Sequence, residues 1–247
     1  MLHIVSSLEG LTSPTSALVA RVHTIAPVLP LLQESLQTNR MQDVFECLDQ
    51  IMDTLTIEGS SRPGMFATPE EAAAAVETHV GAFASMWSIS CETRVCSHCA
   101  HTARAFIPCF TVSRISDTST IADAFCEGCR GKHCRNVTWT LVRPGESVFV
   151  RINRHTDTGQ KRHDRVCLHE GVTIGGRAFS MRAMVYHDGL TLDGGHYTCA
   201  FKSTISSAWI LNSDTHVRFA GASFDISEHD AHKTYGAVYC ACSVVSS

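Results

Sequence analysis

The sequence predicts an α+β fold, and three observations carry that expectation. Helical periodicity and helix-start signals dominate residues 1–90. Paired cysteines mark residues 91–136, and β-branched and aromatic runs between turn dipeptides fill residues 137–247. All 247 residues read as one domain built from these three segments, because 44% hydrophobic content is enough for a sizeable core. The formal net charge is −4 and the pI about 6.4, which excludes a strongly basic nucleic-acid coat and gives little attraction to anionic lipid. No apolar run approaches the roughly 18 residues that span a bilayer, so neither nucleic acid nor membrane is the expected partner.

Residues 15–26 can form a short helix, with Ala17, Leu18, Val22 and Ile25 on one side. Pro27 and Pro30 interrupt it, since proline lacks a donor and clashes with the preceding turn. A second helix follows, with Asn39 as N-cap and Gln42 completing a capping-box pattern. Val44, Phe45, Leu48, Ile51, Met52 and Leu55 then fall at helical spacing. Residues 58–64 (EGSSRPG) read as a loop, and Thr68-Pro69-Glu70-Glu71 opens a third helix. Strands are expected at Val137–Val142, Ser147–Ile152, His196–Phe201 and Tyr235–Cys240. The turn pairs between them are Pro144-Gly145, Gly175-Gly176, Asp188-Gly189 and Gly194-Gly195.

The chain holds 12 cysteines. Its first residues, Met1–Ser7, lack a charged stretch followed by an apolar run, so no secretory signal is read and an intracellular place, cytoplasmic or nuclear, is expected. Thiols stay reduced there, which favours metal ligands or a reactive thiol over disulfides. Cys96/Cys99 and Cys126/Cys129 form two CxxC knuckles with 26 residues between them. A two-residue spacer lets both thiolates of a knuckle reach one ion, and two knuckles supply the tetrahedron that Zn²⁺ takes. A four-cysteine site has no open position, so the expected Zn²⁺ is structural. His98, His101, Cys91, His133 and Cys134 are further ligands nearby, and core thiols are the alternative reading. The intervening residues 102–112 have the composition of a strand that returns the chain. Arg130, Lys132 and Arg135 flank the second knuckle and suggest a nucleic-acid ribbon, against which stands the acidic balance of the whole chain.

Near the C-terminus, Gly194-Gly195-His196-Tyr197-Thr198 precedes Trp209-Ile210-Leu211-Asn212-Ser213-Asp214. A histidine leading a strand beside glycines can face a narrow cleft, with a polar residue on the next strand holding its ring. Four stretches in order resemble the ubiquitin-specific protease family. Gln42 to Leu48 with Ile51 to Leu55 is similar to the helix "QDAxEFLxxLLDxL", and the two knuckles to the family's zinc-bearing fingers. Ser147 to Arg154 with Gln160-Lys161 is similar to the strand "xLxxHLKRF…xK". Gly194 to Thr198, Trp209 to Val217 and Tyr235 to Tyr239 resemble the ending "GHYxA…WxxFxDxxV…AYxLxY". The resemblance implies a papain-like architecture with a helical thumb (1–90), zinc fingers (91–136) and an antiparallel β palm (137–247). It also implies a thiol mechanism that hydrolyses the bond after the C-terminal glycine of ubiquitin or a ubiquitin-like protein. His196 takes the general base's place, Ser213 and Asp214 that of its orienter, and Gln42, Asp43, Glu46 and Tyr197 line the substrate side. For Asp43 and Glu46 a helix-dipole role is the equal alternative.

Two positions depart from the family pattern. Serine stands where asparagine or aspartate usually orients the histidine, and Asn212, one step away on a strand, faces the other side. The nucleophile box, "NTCYLN", has no cysteine here: none precedes Cys47, which occupies a packing position of the helix. The nearest local match, residues 12–18, puts Ser13 at the cysteine's place, 29 positions before Gln42. A serine there is a poor substitute for a thiolate. The sequence therefore leaves a deubiquitinase with an unassigned nucleophile, a pseudoprotease that binds ubiquitin or a relative, and a zinc-ribbon adaptor without a ubiquitin role.

Overall fold

The computed structural model describes residues 43–45, 48–49, 64–113, 116–154, 160–191, 194–203, 205–214, 216–221, 224–226 and 229–242. The expected helix at 15–26 lies outside them, as do Ser13, Asn39, Gln42, Glu46 and Cys47. The chain folds as two compact units. One comprises residues 1–54, 154–170 and 181–236; the other comprises 55–153, 171–180 and 237–247.

The second unit begins with helix α1 (Pro69–Val80), where the sequence expects one. Thr68 caps it by accepting from the Glu71 N–H at 3.2 Å, and the Glu71 carboxylate reaches back to the Ala67 N–H. Gly81, at φ 53°, closes the helix by donating to Glu77. A 3-10 turn, Gly81–Met86, leads to β1 (Ser88–Cys96). With β2 (Thr102–Cys109), β4 (Ser116–Phe125) and β5 (Lys132–Arg143), β1 forms an antiparallel sheet of order β2-β1-β5-β4. Ala72 and Ala73 let α1 lie close on Ile89, with Phe66 and Phe106 filling in beside them. The short β3 (Thr111–Val112) runs parallel to β6 (Ser147–Arg151), which neighbours β12 (Thr234–Ala241). Trp87, Phe110 and Phe149 stack behind these strands, with centroids 6.3 and 4.4 Å apart. Gly175 and Gly176, both at positive φ, make the two-residue turn from β7 (Gly171–Ile174) into β8 (Arg177–Thr191).

In the first unit the strand order is β11-β10-β9-β8-β12. β9 (Gly194–Lys202) pairs antiparallel with β8 and with β10 (Trp209–Ser213), and β11 (His216–Gly221) closes the edge. Two turn expectations are corrected here. Asp188-Gly189 lies inside β8, and Gly194-Gly195 opens β9 rather than preceding it. The reason is close approach: a Cβ on Gly189 would collide with the Gly194 backbone, and one on Gly195 would lie 2.5 Å from the Asp188 carbonyl oxygen. The glycines mark crowding between paired strands, which in sequence looks the same as a bend. The second helix is represented by Val44, Phe45, Leu48 and Asp49, with Phe45 and Leu48 buried as the periodicity predicts. Asp43 caps its described start: Oδ1 accepts from the Phe45 N–H at 2.8 Å, and Oδ2 accepts from the buried Tyr235 hydroxyl.

Candidate active site and metal centre

His196 is the third residue of β9 and stands opposite Asp188 of β8. On its other side β10 pairs with β9 so that Asn212 faces Cys199. Side chains alternate along a strand, so Ser213 falls on the face of His196 and Asn212 on the opposite one. The Ser213 hydroxyl lies 3.0 Å from His196 Nε2, and Asp214 Oδ2 lies 3.6 Å from the same nitrogen. Asp214 reaches back because it turns out of the strand at φ 51°, in the hairpin that pairs Ser213 with His216. The His196 side chain is 45% exposed, open to a reactant on one side. The hydroxyl sets the ring's orientation, and the Asp214 carboxylate lies beside the same nitrogen. With Nε2 so engaged, any proton exchange of this ring with a reactant would fall to Nδ1.

Tyr197 points away from this face. Its ring stacks on His187 at 4.5 Å and meets Tyr235 edge-on at 5.5 Å. Phe45 joins the same cluster at 5.9 Å from Tyr235. Asp43 is buried against it, so the carboxylate serves both the helix cap and the Tyr235 hydroxyl. Ser13, Gln42 and Glu46 lie outside the described residues.

The four knuckle cysteines come together. Cys96 ends β1, Cys126 follows β4, and their partners sit in the tight turns beyond. The four sulfurs lie within 4.8 Å of one another, with Cys99 and Cys126 3.6 Å apart. Tetrahedral Zn²⁺ with bonds of about 2.3 Å sets sulfurs roughly 3.8 Å apart, so the set fits that ion. Backbone amides aim at the sulfurs. The Cys129 N–H draws the Cys126 thiol down to about 6, and the Cys99 and His98 N–H groups lower Cys96. Donors of this kind favour the thiolates a metal needs; the His101 N–H acts likewise on Cys99, but burial and the neighbouring sulfurs push that thiol up to about 11. Among the described residues this is the one cluster of three or more His, Cys, Asp or Glu side chains arranged for a metal. His98 and His133 instead stack on each other beside it, with centroids 4.5 Å apart.

The sequence matches the family described as ubiquitin carboxyl-terminal hydrolase over residues 12–239. The chain belongs to that family. A search of curated proteins returned no match. Among solved structures the hydrolase domain is similar to the SAGA Ubp8/Sgf11/Sus1/Sgf73 DUB module bound to ubiquitin aldehyde. That match has 13% identity, a TM-score of 0.65, and covers 94% of this chain and 56% of the other. The same module bound to monoubiquitin matches at 14% identity and TM-score 0.61, over 94% and 54%. The yeast SAGA DUBm with a mutant Sgf73 matches at 14% and 0.57, over 72% and 46%. This chain thus spans about half the length of the chains it matches. These likenesses establish the α+β fold of the ubiquitin-specific proteases, with most of the described residues in strands.

Several residues that brace the strands around His196 carry no local sequence signal of their role. Glu170 accepts from Trp209 Nε1 at 3.2 Å and from Lys202 Nζ at 2.6 Å, and Lys202 also lies 5.5 Å over the Trp209 ring. This clamp fixes the start of β10, the strand that ends in Ser213. Buried Arg154 donates to the carbonyls of Thr234, Ala231 and Asp164, and Lys161 to that of His187. Arg154 and Lys161 do belong to the strand that resembles the family's, but nothing local says that their partners are distant carbonyls.

Proposed function

We propose that this chain is the ubiquitin-specific-protease-type domain of a deubiquitinase, acting on the bond after the C-terminal glycine of ubiquitin. The observation that carries the proposal is the His196–Ser213–Asp214 grouping, at 3.0 and 3.6 Å, on a face open to solvent. In this reading a thiol gives its proton to His196 Nδ1 and its sulfur bonds to the glycine carbonyl carbon. The tetrahedral species collapses, and His196 returns the proton to the leaving amine. Water then attacks the thioester, losing its proton to the same imidazole, and the freed thiol takes that proton back. Ser213 and Asp214 hold the ring for each transfer. In this reading the ubiquitin tail runs to the His196 face of β9 and β10. Gln42 and Glu46 meet its basic side chains. Asp43 and Tyr197 act from beneath as the cap and the aromatic floor.

Cys96, Cys99, Cys126 and Cys129 are proposed to hold one structural Zn²⁺ that ties the ends of the four-stranded sheet together and takes no part in the reaction. The ubiquitin-bound neighbours support ubiquitin as the partner. Among the described residues no helix is long and apolar enough to cross a membrane. The cytoplasm or nucleus, where thiols stay reduced, suits the cysteine content.

A second reading has its own support: Ser13 stands at the nucleophile's place and no cysteine precedes Cys47. A domain that binds ubiquitin without cleaving it meets that observation. Ubiquitin carrying a C-terminal electrophile separates the two. A covalent adduct that persists in Ser13→Ala and is lost in a single cysteine variant, with Cys47→Ala tested first, supports hydrolysis. Ubiquitin binding without an adduct supports the pseudoprotease. Neither binding nor adduct overturns both and leaves a zinc-bearing adaptor.

A further inference from the structure

We infer that His187 is a positioning residue for His196, acting through Gly195. The inference rests on reading His196 as the general base. His187 is fully buried in β8, and its backbone is fixed at both ends. Its N–H donates to the Lys233 carbonyl at 2.9 Å, and its own carbonyl accepts from the buried Lys161 ammonium. The imidazole packs against Tyr197 at 4.5 Å and Tyr235 at 5.7 Å, and Tyr235 is itself held by Asp43. The upper edge of that ring meets the backbone of β9. A Cβ placed on Gly195 would lie 2.6 Å from His187 Nε2, so only glycine allows the contact. Gly195 also holds φ 149°, a conformation that L side chains rarely adopt.

The peptide that carries His196 therefore rests directly on the ring of His187. In a close-packed interior, removing that ring leaves a void on one side of the Gly195 backbone. The strand then settles toward the void, and the His196 imidazole turns away from Ser213. In the intact protein Tyr197 and Tyr235 hold the His187 ring in this place. His187 needs no contact with substrate to do this, and the effect reaches the reacting nitrogen through one peptide unit.

The test reads His196 itself, so it does not depend on turnover. Long-range ¹H–¹⁵N correlation of the imidazoles in the full chain reports the tautomer of each ring. In the unaltered protein His196 is expected to hold a single tautomer, set by the Ser213 contact. His187→Ala and His187→Gln, which both remove the ring, should average the His196 nitrogen shifts toward those of free imidazole. His187→Phe, which keeps a flat ring in place, should restore at least half of the original difference between its two nitrogens. Met181→Ala, an equally buried site in the same strand, should leave His196 unchanged. A folded Ala or Gln variant with unaltered His196 shifts overturns the inference, as does a folded Phe variant that averages as fully as they do. If His196→Ala leaves hydrolysis intact, the general-base reading fails, and that result is separate from the nitrogen shifts.

Discussion

Ser213 is the residue on which the candidate active site departs from an Asn or Asp orienter, and its hydroxyl sits 3.0 Å from His196. A neutral hydroxyl holds the ring, and the Asp214 carboxylate lies 3.6 Å away and exposed. Ser213→Ala is expected to lower kcat/KM by about tenfold or more, while Ser213→Asp retains or raises activity, as read with a fluorogenic ubiquitin substrate. Equal losses in both variants would show that this position does not orient the base. A buried phenol gives a second prediction at this scale. Tyr186 is buried, its hydroxyl has no hydrogen-bond partner among the described residues, and burial pushes its pKa well above the usual phenol value. Below about pH 10 both folded and unfolded states keep the proton, so no stability is lost there. Above about pH 10 the unfolded chain releases it first and stability falls. Tyr186→Phe should therefore cost less than about 1 kcal/mol at neutral pH and flatten the alkaline limb of urea-melt stability above about pH 10.

At the scale of elements, α1 shows how a short helix is specified by its ends. Thr68 accepts from Glu71, Glu71 reaches back to Ala67, and Gly81 closes the last turn. Thr68→Ala should cost about 1 kcal/mol in chemical denaturation, while Thr68→Ser is nearly neutral. Those signals all lie within one short segment, so residue order alone predicts the helix. The second helix is legible in its apolar spacing, while a capping carboxylate at its first described residue, Asp43, is not. Asp43 takes that role because Tyr235, far along the chain, holds its second oxygen. The strands divide in the same way. β5, β6, β9 and β12 are readable as β-branched and aromatic runs. β1 and β8 are not, because Ser88–Glu92 is mostly polar though buried, and β8 carries a glycine within the strand. Their strand character comes from being flanked on both sides by partners, a property of the sheet and not of the segment.

For the whole molecule the cysteine cluster brings together distant parts of one unit. Its knuckles end β1 and β4, and the metal they fit would join turns separated by 26 residues. Stripping metal with a strong chelator should lower the melting temperature of the chain by several degrees or more, with recovery on adding Zn²⁺. A double substitution, Cys126→Ser with Cys129→Ser, should behave like the stripped protein and bind no zinc by elemental analysis. An unchanged melt after verified stripping would remove zinc from the account. By itself the sequence determined the α+β class, the paired knuckles, the order of the family's motifs and the histidine beside the glycine pair of β9. These are local: spacing, periodicity and residue type carry them without knowledge of what lies opposite. Only the tertiary structure decided that Asp214 reaches back to His196 beside Ser213, that Asp43 is a buried cap, and that Gly189 and Gly195 sit at a crowded strand contact over His187. Each of these depends on how distant segments pair, and a one-residue shift in register exchanges the two faces of a strand while leaving its own pattern unchanged.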